Sequence, residues 1–328
     1  MHRRDFIRVV AGSAGTWPLA VLAQQSTLPV VGFVNLASAK GGYAQNLSAF
    51  LNGLSETGYV NGRNVIIELH WAEGRADRLP AMMADLVRRQ VAVIAATTTE
   101  VALAAKAATM TIPIIFEMAS DPVRIGLVAS LNRPGGNATG VTNANMEIVP
   151  KRLQLLHELV PTASVVALLA NPANPTLAKT YTKLSQAAAR DLGLELHVLN
   201  AGNESDLDEV FAKLIQLRAG GLVIGVDPFF TDGSEQLAAL TVRHAVPTIY
   251  QGRSFAAAGG LLSYGGDTTD AYRLTGIYVG RVLKGEKPAD LPIQQATKVG
   301  LYINLKTAKA LGLAIPNTLV GRADEVFE

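Results

Sequence analysis

The chain has 328 residues, of which 49% are hydrophobic and 17% charged, and its formal net charge at pH 7 is +2. Nearly balanced charge argues against nucleic acid as a partner, because phosphate binding requires clustered Lys and Arg. The absence of cysteine excludes disulfides, thiolate metal sites and a cysteine nucleophile, and suits an oxidising compartment.

The chain begins with the pattern of an export signal. Arg3 and Arg4 precede Phe6, a mostly apolar stretch covers 7–22, and the leader closes on the small or apolar residues Val21-Leu22-Ala23. A basic region, an apolar region and a small-residue cleavage site are typical of exported proteins. The arginine pair resembles a twin-arginine (Tat) signal, although a Sec signal can also begin with two arginines. We expect cleavage after Ala23 and a periplasmic product.

A short N-terminal core helix or a membrane anchor is the alternative reading of this leader. Arg8 and Pro18 interrupt the apolar stretch before it reaches the ~20 residues that a membrane span needs. Without residues 1–23 the chain is formally neutral, which also argues against a polybasic membrane-surface role. The remaining length is large for one core and suggests two domains.

The first half of the remaining chain alternates strand-like and helix-like segments. β-Branched or continuous apolar runs predict strands, and apolar residues at helical spacing predict helices. A Gly/Pro-rich cluster at 132–137 predicts a turn. The predicted strands are 29–35, 64–71, 91–97, 112–117 and 139–142, and the predicted helices are about 43–54, 79–87, 101–108 and 122–131.

The pattern restarts after a separation near 143–150. Strands alternating with helices of 10–18 residues indicate βαβ units, and a tail too short for a third domain is expected to cross back and complete both units. The predicted strands are 164–170, 194–199, 221–226, 246–250 and 298–304, and the predicted helices are 175–192, 205–218, 234–244 and 271–283.

The fold class predicted from this alternation is α/β, with two Rossmann-like lobes that have parallel sheets and are joined by a hinge. We expect the first lobe to comprise 24–143 plus about 263–290. The second lobe is expected to comprise 144–262 plus about 291–328.

Ligands of open parallel sheets bind beyond the carboxyl ends of the strands, and those ends carry hydroxyls, amides, carboxylates and aromatic rings here. Two interpretations are open for Asn171, Asp227 and Thr97–Thr99: these residues either contact the ligand or cap the helix that follows them. Phe229 either faces the cleft or packs under a loop, and Glu117 is either a ligand contact or a surface ion-pair partner. The candidate ligand-binding residues are Ser38, Thr97, Thr98, Thr99, Met118, Ser120, Asp121, Asn171, Asp227, Phe229, Gln251 and Tyr264.

Enzyme signatures are scarce. No G-x-G-x-x-G follows the first strand, and no Walker A sequence or G-x-S-x-G elbow occurs. The histidines are scattered, and none pairs with another at metal-ligand spacing. We therefore predict a non-enzymatic protein with no cofactor and no metal.

Segments spread along nearly the whole chain resemble the ABC transporter substrate-binding proteins of the type I periplasmic fold, in the family that includes tryptophan- and tyrosine-binding members. Besides the leader RRDFI, the resembling segments are 53–68, 78–96, 119–141 (ASDPVRIGLVASLNRPGGNATGV), 151–161, 170–175 (ANPANP), 243–250, 259–265, 276–295 and 303–313.

The resemblance implies two lobes that close on a solute, and a permease with its ATPase as partners of a monomeric protein. It implies that Thr97–Thr99 and Ser120 contact a carboxylate, that Asp227 faces an ammonium and that Asn171 contacts either end. Tyr264 and Phe229 would enclose an apolar body. The expected solute is an amino acid, possibly aromatic, or a related carboxylate.

Three rival functions remain. A periplasmic ligand carrier for a membrane sensor or chemoreceptor would have the same fold and cleft. An α/β enzyme would need a nucleophile or an acid–base pair in the cleft. A transcription regulator would need an N-terminal helix-turn-helix where the leader lies.

Overall fold

The computed structural model describes residues 28–38, 43–143 and 145–328. The predicted export signal at 1–23 lies outside these residues. The strands are β1 (Val30–Asn35), β2 (Ile66–Trp71), β3 (Val93–Ala96), β4 (Ile114–Met118), β5 (Ala138–Asn143), β6 (Val165–Ala170), β7 (Glu195–Asn200), β8 (Gly221–Ile224), β9 (Thr248–Tyr250), β10 (Leu262–Gly266), β11 (Gln294–Ala296), β12 (Val299–Asn304) and β13 (Glu325–Phe327).

The helices cover both faces of the sheets that these strands form. They are α1 (Tyr43–Glu56), α2 (Leu79–Arg88), α3 (Thr99–Ala108), α4 (Val149–Leu159), α5 (Pro175–Asp191), α6 (Asp206–Leu217), α7 (Pro228–Asp232), α8 (Ser234–Arg243), α9 (Arg253–Ala257), α10 (Thr268–Leu283), α11 (Leu305–Ala310) and α12 (Asn317–Val320). None of the helices in the described residues is long and apolar enough to cross a membrane.

Two sheets divide the strands, which confirms the predicted α/β fold with two parallel-sheet lobes. The first has the order β11-β5-β4-β3-β1-β2, and the second has the order β13-β12-β10-β9-β8-β6-β7. The pairing is parallel throughout except between β10 and β12. In each lobe the chain winds first to one side of its opening strand and then to the other, which places a ligand-binding crevice at the carboxyl ends of the strands.

The first sheet is a buried layer between two pairs of helices. All residues of β3 and β4 are buried, as continuous apolar runs in a doubly covered parallel sheet require. On one face, Phe33 of β1 packs with Phe50 of α1 and with α10 residues. On the other, Met83 of α2 and Val101 of α3 are fully buried.

Helices α1 and α10 approach each other closely through glycines. A Cβ at Gly276 would lie 2.1 Å from the Phe50 carbonyl oxygen, and one at Gly53 would lie 1.9 Å from the Arg273 carbonyl oxygen. Backbone carbonyls leave no flexible atom to move aside, so both positions require glycine. This contact fixes α10, which follows the second lobe in sequence, on the first lobe.

The chain passes between the sheets after β5, after β10 and after β11. β10 stays in the second sheet through Gly266, and β11 belongs to the first, so the passages lie a few residues beyond the predicted 263 and 291. The buried Arg152 side chain links the passage after β5 to strand β10. Its guanidinium donates to the Asn145 side-chain oxygen at 2.6 Å and to the Tyr264 carbonyl at 2.6 Å.

Two segments differ from the predicted elements. The stretch predicted as a helix at 122–131 is a series of turns, because Asp121 accepts hydrogen bonds from the next backbone N–H groups and Gly126 takes a positive φ of 74°. The predicted elements also omit α4, although buried Leu153 and Leu156 recur there at helical spacing. The predicted separation near 143–150 contains the start of α4.

Candidate functional site

A cavity of about 590 Å³ lies between the two lobes at the carboxyl ends of the strands. This volume falls within the range of about 300–1,000 Å³ that small-molecule sites occupy. The first lobe contributes the ends of β3, β4 and β5 and the starts of α1 and α10. The second lobe contributes the loops after β8 and β9. A solute held there would contact both lobes at once.

Half of the sequence-predicted site residues lie on the cavity wall, and the other half lie behind it or at its edge. The residues on the wall are Thr97, Thr98, Thr99, Met118, Asp227 and Gln251. The residues off the wall are Ser38, Ser120, Asp121, Asn171, Phe229 and Tyr264.

The threonine hydroxyls are largely committed to the protein itself. The Thr97 hydroxyl donates to the Val34 carbonyl at 2.9 Å and accepts from the Asn35 amide at 2.8 Å. The Thr98 hydroxyl caps α3 by accepting from the Val101 N–H. Thr98 and Thr99 line the cavity at the start of α3, which is the positive end of the helix dipole.

Thr99 and Ser120 form a hydrogen bond to each other. The Thr99 hydroxyl donates to the Ser120 hydroxyl at 3.1 Å, and both residues are buried. Ser120 thus stands behind Thr99 and does not reach the wall itself.

Asp227 is a buried cap whose two oxygens are occupied. Oδ1 accepts from the Asn171 amide at 2.8 Å and from the Phe229 N–H at 2.9 Å, and Oδ2 accepts from the Asn174 amide at 3.0 Å. Burial raises the pKa of Asp227 to about 6, and these three donors oppose the shift. Asn171 is thereby a partner of Asp227, behind the wall.

The remaining predicted residues make contacts within the protein, away from the cavity wall. Asp121 accepts from the N–H groups of the turn that follows it. Phe229 packs beside Phe230 with ring centroids 5.3 Å apart, and the Tyr264 side chain packs on the core of the second lobe. The Ser38 N–H reaches across the cleft to the Asp232 carboxylate at 2.8 Å, so it links the two lobes.

Glu117 at the end of β4 is a buried carboxyl group on the cavity wall. Glu117 is only 5% exposed, and the Asn143 amide donates to its Oε1 at 2.7 Å. Burial raises the pKa of Glu117 to about 7, and the Asn143 hydrogen bond opposes the shift. The alternative of a surface ion pair does not hold, since no Lys, Arg or His of the described residues lies within 4.0 Å of it.

Three buried tyrosines line the cavity and were missed at the level of sequence. Tyr43 and Tyr272 of the first lobe have ring centroids 6.4 Å apart, and Tyr250 comes from the second lobe. Burial raises the pKa of each phenol above its ordinary value, so all three stay neutral near pH 7. Tyr43 and Tyr272 read as ordinary core positions on helices, and only the placement of α1 and α10 brings them to the cleft.

The start of α10 is a second missed part of the wall. Asp267 caps this helix by accepting from the Asp270 N–H at 3.1 Å, and Thr268 and Thr269 line the cavity behind it. The N-cap pattern Asp267-Thr268-Thr269-Asp270 was available in the sequence as a helix start. Nothing in the sequence placed that helix start beside the loop after β3, where the Tyr272 hydroxyl of α10 donates to the Thr97 carbonyl.

Two ion pairs lie at the rim of the cavity. Arg253 donates to the Glu325 carboxylate through Nε and Nη2, with the Nε contact at 2.6 Å. Lys298 lies 3.5 Å from Asp267. Among the described residues no group of three or more His, Asp or Glu side chains is arranged to hold a metal ion.

Glu100 lies where the lobes meet, next to the cavity. Both of its carboxyl oxygens are buried and make no hydrogen bond of regular geometry. Burial raises the pKa of Glu100 to about 7. The negative charge of Asp227 adds to the shift, while the Glu100 N–H and the Asn174 amide oppose it. A first-lobe carboxyl group is thus buried against second-lobe polar groups.

Comparison with known proteins gives consistent matches along most of the chain. A sequence family described as "ABC transporter substrate binding protein" matches residues 33–327. A tyrosine-binding protein of Clostridioides difficile is 25% identical over 80% of this chain and 75% of its own length.

Two solved structures share the fold. One is a conserved domain protein from Vibrio cholerae, with a TM-score of 0.82 and 24% identity. The other is an ABC domain in complex with L-Trp from Streptococcus pneumonia, with a TM-score of 0.81 and 24% identity. Each comparison covers 92% of this chain and 100% of the other chain.

Proposed function

Because the chain belongs to the ABC transporter substrate-binding proteins, a family of binding proteins rather than enzymes, we propose that it is the solute-binding component of an ABC importer. The observation that carries this proposal is the cavity walled by both lobes. A solute that contacts both walls stabilises the closed arrangement, and hinge closure is the form of conformational change that such folds use. The closed form would then be presented to a permease coupled to an ATPase.

We propose that the solute is an amino acid, aromatic ones included, or a related carboxylate. Three tyrosines supply flat apolar surface, and the starts of α3 and α10 supply N–H groups suited to a carboxylate. A relative that is described as tyrosine-binding and a structural neighbour that holds L-Trp support this choice.

We further propose that the protein works in the periplasm as a monomer after cleavage behind Ala23. The leader pattern supports export, and the family is typically extracytoplasmic. N-terminal sequencing of the protein recovered from a periplasmic extract tests this directly. The expected first residue is Gln24, and an intact Met1 on the recovered protein would contradict processing at this site.

The binding proposal is tested by a thermal-shift screen of the purified protein, followed by titration calorimetry of each hit. A solute at about 100 times its Kd adds about 2.7 kcal/mol of stability, which corresponds to a rise of several degrees in Tm. Small-angle scattering is expected to show a smaller radius of gyration when a hit is bound. A folded protein that responds to no amino acid, carboxylate, sugar or purine would contradict solute binding.

Transport is tested separately from binding. Cells that lack the gene are expected to lose high-affinity uptake of the radiolabelled solute identified by the screen. If uptake is unchanged and only a behavioural response to the solute disappears, the protein is a carrier for a sensor and the importer proposal is wrong.

A further inference from the structure

The cavity wall carries one carboxyl group whose position is not explained by the fold. Glu117 is buried, and the Asn143 amide donates a hydrogen bond to its Oε1. Its Oε2 has no hydrogen-bonding partner among the described residues, and it is not one of their fully enclosed side-chain atoms, so it is open to the cavity. A carboxylate held among protein groups without an opposite charge loses part of its hydration, and an arriving cation would restore a favourable partner. Glu117 lies on the wall in that condition, with Asn143 on one oxygen and no partner on the other.

Neighbouring polar groups do not satisfy Glu117. The Tyr272 hydroxyl is engaged elsewhere, since it accepts from the Asn35 amide at 3.0 Å and donates to the Thr97 carbonyl at 3.3 Å. Tyr43 is neutral because burial raises its pKa, and it also lies on the wall. The surroundings of Glu117 are therefore aromatic and uncharged.

The other carboxylates of the wall either have partners or are exposed to solvent. Asp227 has three donors on its two oxygens, and Asp267 caps α10 and lies near Lys298. Glu235 is exposed at the rim. Glu117 is the carboxyl group of the described wall that is both buried and left with an unbonded oxygen.

We propose that Glu117 is the specificity-determining residue for a protonated amine on the solute, and that the cavity therefore selects solutes bearing an ammonium group. An ammonium supplies a charge and up to three donors to Oε2, and the rings of Tyr43 and Tyr272 add a surface that favours a cation. This inference rests on the proposed function. It assigns the amine to Glu117 and not to Asp227, the residue for which the family resemblance implies that role.

The test compares solutes in matched charge forms. The probes are L-tyrosine and L-tryptophan, their deaminated forms 3-(4-hydroxyphenyl)propionate and 3-indolepropionate, and the amines tyramine and tryptamine, together with the other standard amino acids and their deaminated acids. Calorimetry is run on the purified protein and on Glu117→Gln, which keeps the side-chain shape and an acceptor for Asn143. Glu209→Gln, the same change on the exposed face of α6, is the matched control.

We expect amine-bearing solutes to bind the unchanged protein and the Glu209→Gln control alike, and to bind Glu117→Gln about 10- to 100-fold more weakly. The deaminated acids should bind weakly and respond little to the substitution. Thermal unfolding of the unliganded variants checks folding, and Glu117→Gln is expected to be at least as stable as the unchanged protein.

Three results would overturn the inference. The first is a deaminated acid that binds as tightly as its amino acid, and the second is undiminished amine binding by folded Glu117→Gln. The third is binding of amine-free solutes together with no binding of any amine-bearing solute. That result would contradict the role of Glu117 but would agree with the proposed solute-binding function. Failure of every solute class to bind would instead reject the proposed function itself.

Discussion

At the scale of the residue, Glu117 links the pH of the medium to the stability of the empty protein. Its pKa is raised by burial to about 7 from 4.5, and the groups that face it, Asn143, Tyr43 and Tyr272, are uncharged near pH 7. The folded state therefore binds this proton more tightly than the unfolded state does. Stability contributed by the protonated form is lost as the pH rises from about 4.5 through about 7.

Glu117→Gln is accordingly expected to stabilise the unliganded protein at pH 8 by about 1–3 kcal/mol, and to change it little at pH 4.5. The measurement is urea unfolding of both proteins across this pH range. Equal stability of the two at pH 8 would contradict the idea that the fold bears an unpaired buried charge there.

The contrast between Glu117 and Asp227 shows what the sequence can predict about single residues. Both carboxyl groups follow strands, so the rule for parallel sheets places both near the cleft. Their environments differ because Asn171 and Asn174 lie beside Asp227, whereas Glu117 has Asn143 from the adjacent strand. Such pairings arise from the register of strands and loops, which a single sequence does not specify.

At the scale of the element, the contact between α1 and α10 is sensitive to a single methyl group. Gly276→Ala would place a Cβ 2.1 Å from the Phe50 carbonyl oxygen, far inside van der Waals contact. Because backbone atoms form the obstacle, the helices must separate, and we expect a loss of about 2 kcal/mol or more of stability. Urea or thermal unfolding of the purified variant measures it.

Gly136→Ala is the matched control for that substitution. A Cβ there meets only the end of the Lys106 side chain, at 3.3 Å. We expect a change within about 0.5 kcal/mol, as for most surface substitutions. If Gly276→Ala were no more destabilising than this control, close helix packing would not be what holds α10 on the first lobe.

Periodicity predicted most strands and long helices but failed where local chemistry overrides it. The apolar spacing at 122–131 resembles a helix, yet Asp121 and Gly126 turn the chain, and Leu127 is buried from an irregular segment. The contact between α1 and α10 is non-local, so the sequence of neither helix alone predicts it. The cavity residues on those helices were missed for the same reason.

At the scale of the whole molecule, the two-lobed organisation follows from the repeated strand and helix alternation, while the way the lobes meet does not. The contacts that join the lobes are few and specific, such as the Ser38 N–H to Asp232 at 2.8 Å and the burial of Glu100 beside Asn174 and Asp227. These contacts depend on the relative placement of two sheets, which no local pattern encodes.

Closure of the lobes is expected to take up a proton at Glu100. When the lobes separate, water reaches this carboxyl group and its pKa returns towards 4.5. In the described arrangement, where Glu100 is buried between the lobes, burial raises its pKa to about 7, and Asp227 adds to that shift while the Asn174 amide and the Glu100 N–H oppose it. The closed form is therefore favoured at lower pH, and this advantage disappears as the pH rises through about 7.

Glu100→Gln removes the titrating group and should favour closure at pH 8 by about tenfold in the closed-to-open ratio, with a smaller effect at pH 5. The ratio is measured by energy transfer between fluorophores placed on the two lobes, without solute, with the exposed Glu209→Gln as control. The unchanged protein and the control should open as the pH rises from 5 to 8, whereas Glu100→Gln should stay more closed. An identical pH response in all three proteins would show that Glu100 does not couple protonation to closure. A reduced response in Glu100→Gln would mean that the pH of the compartment itself sets how readily the empty protein closes.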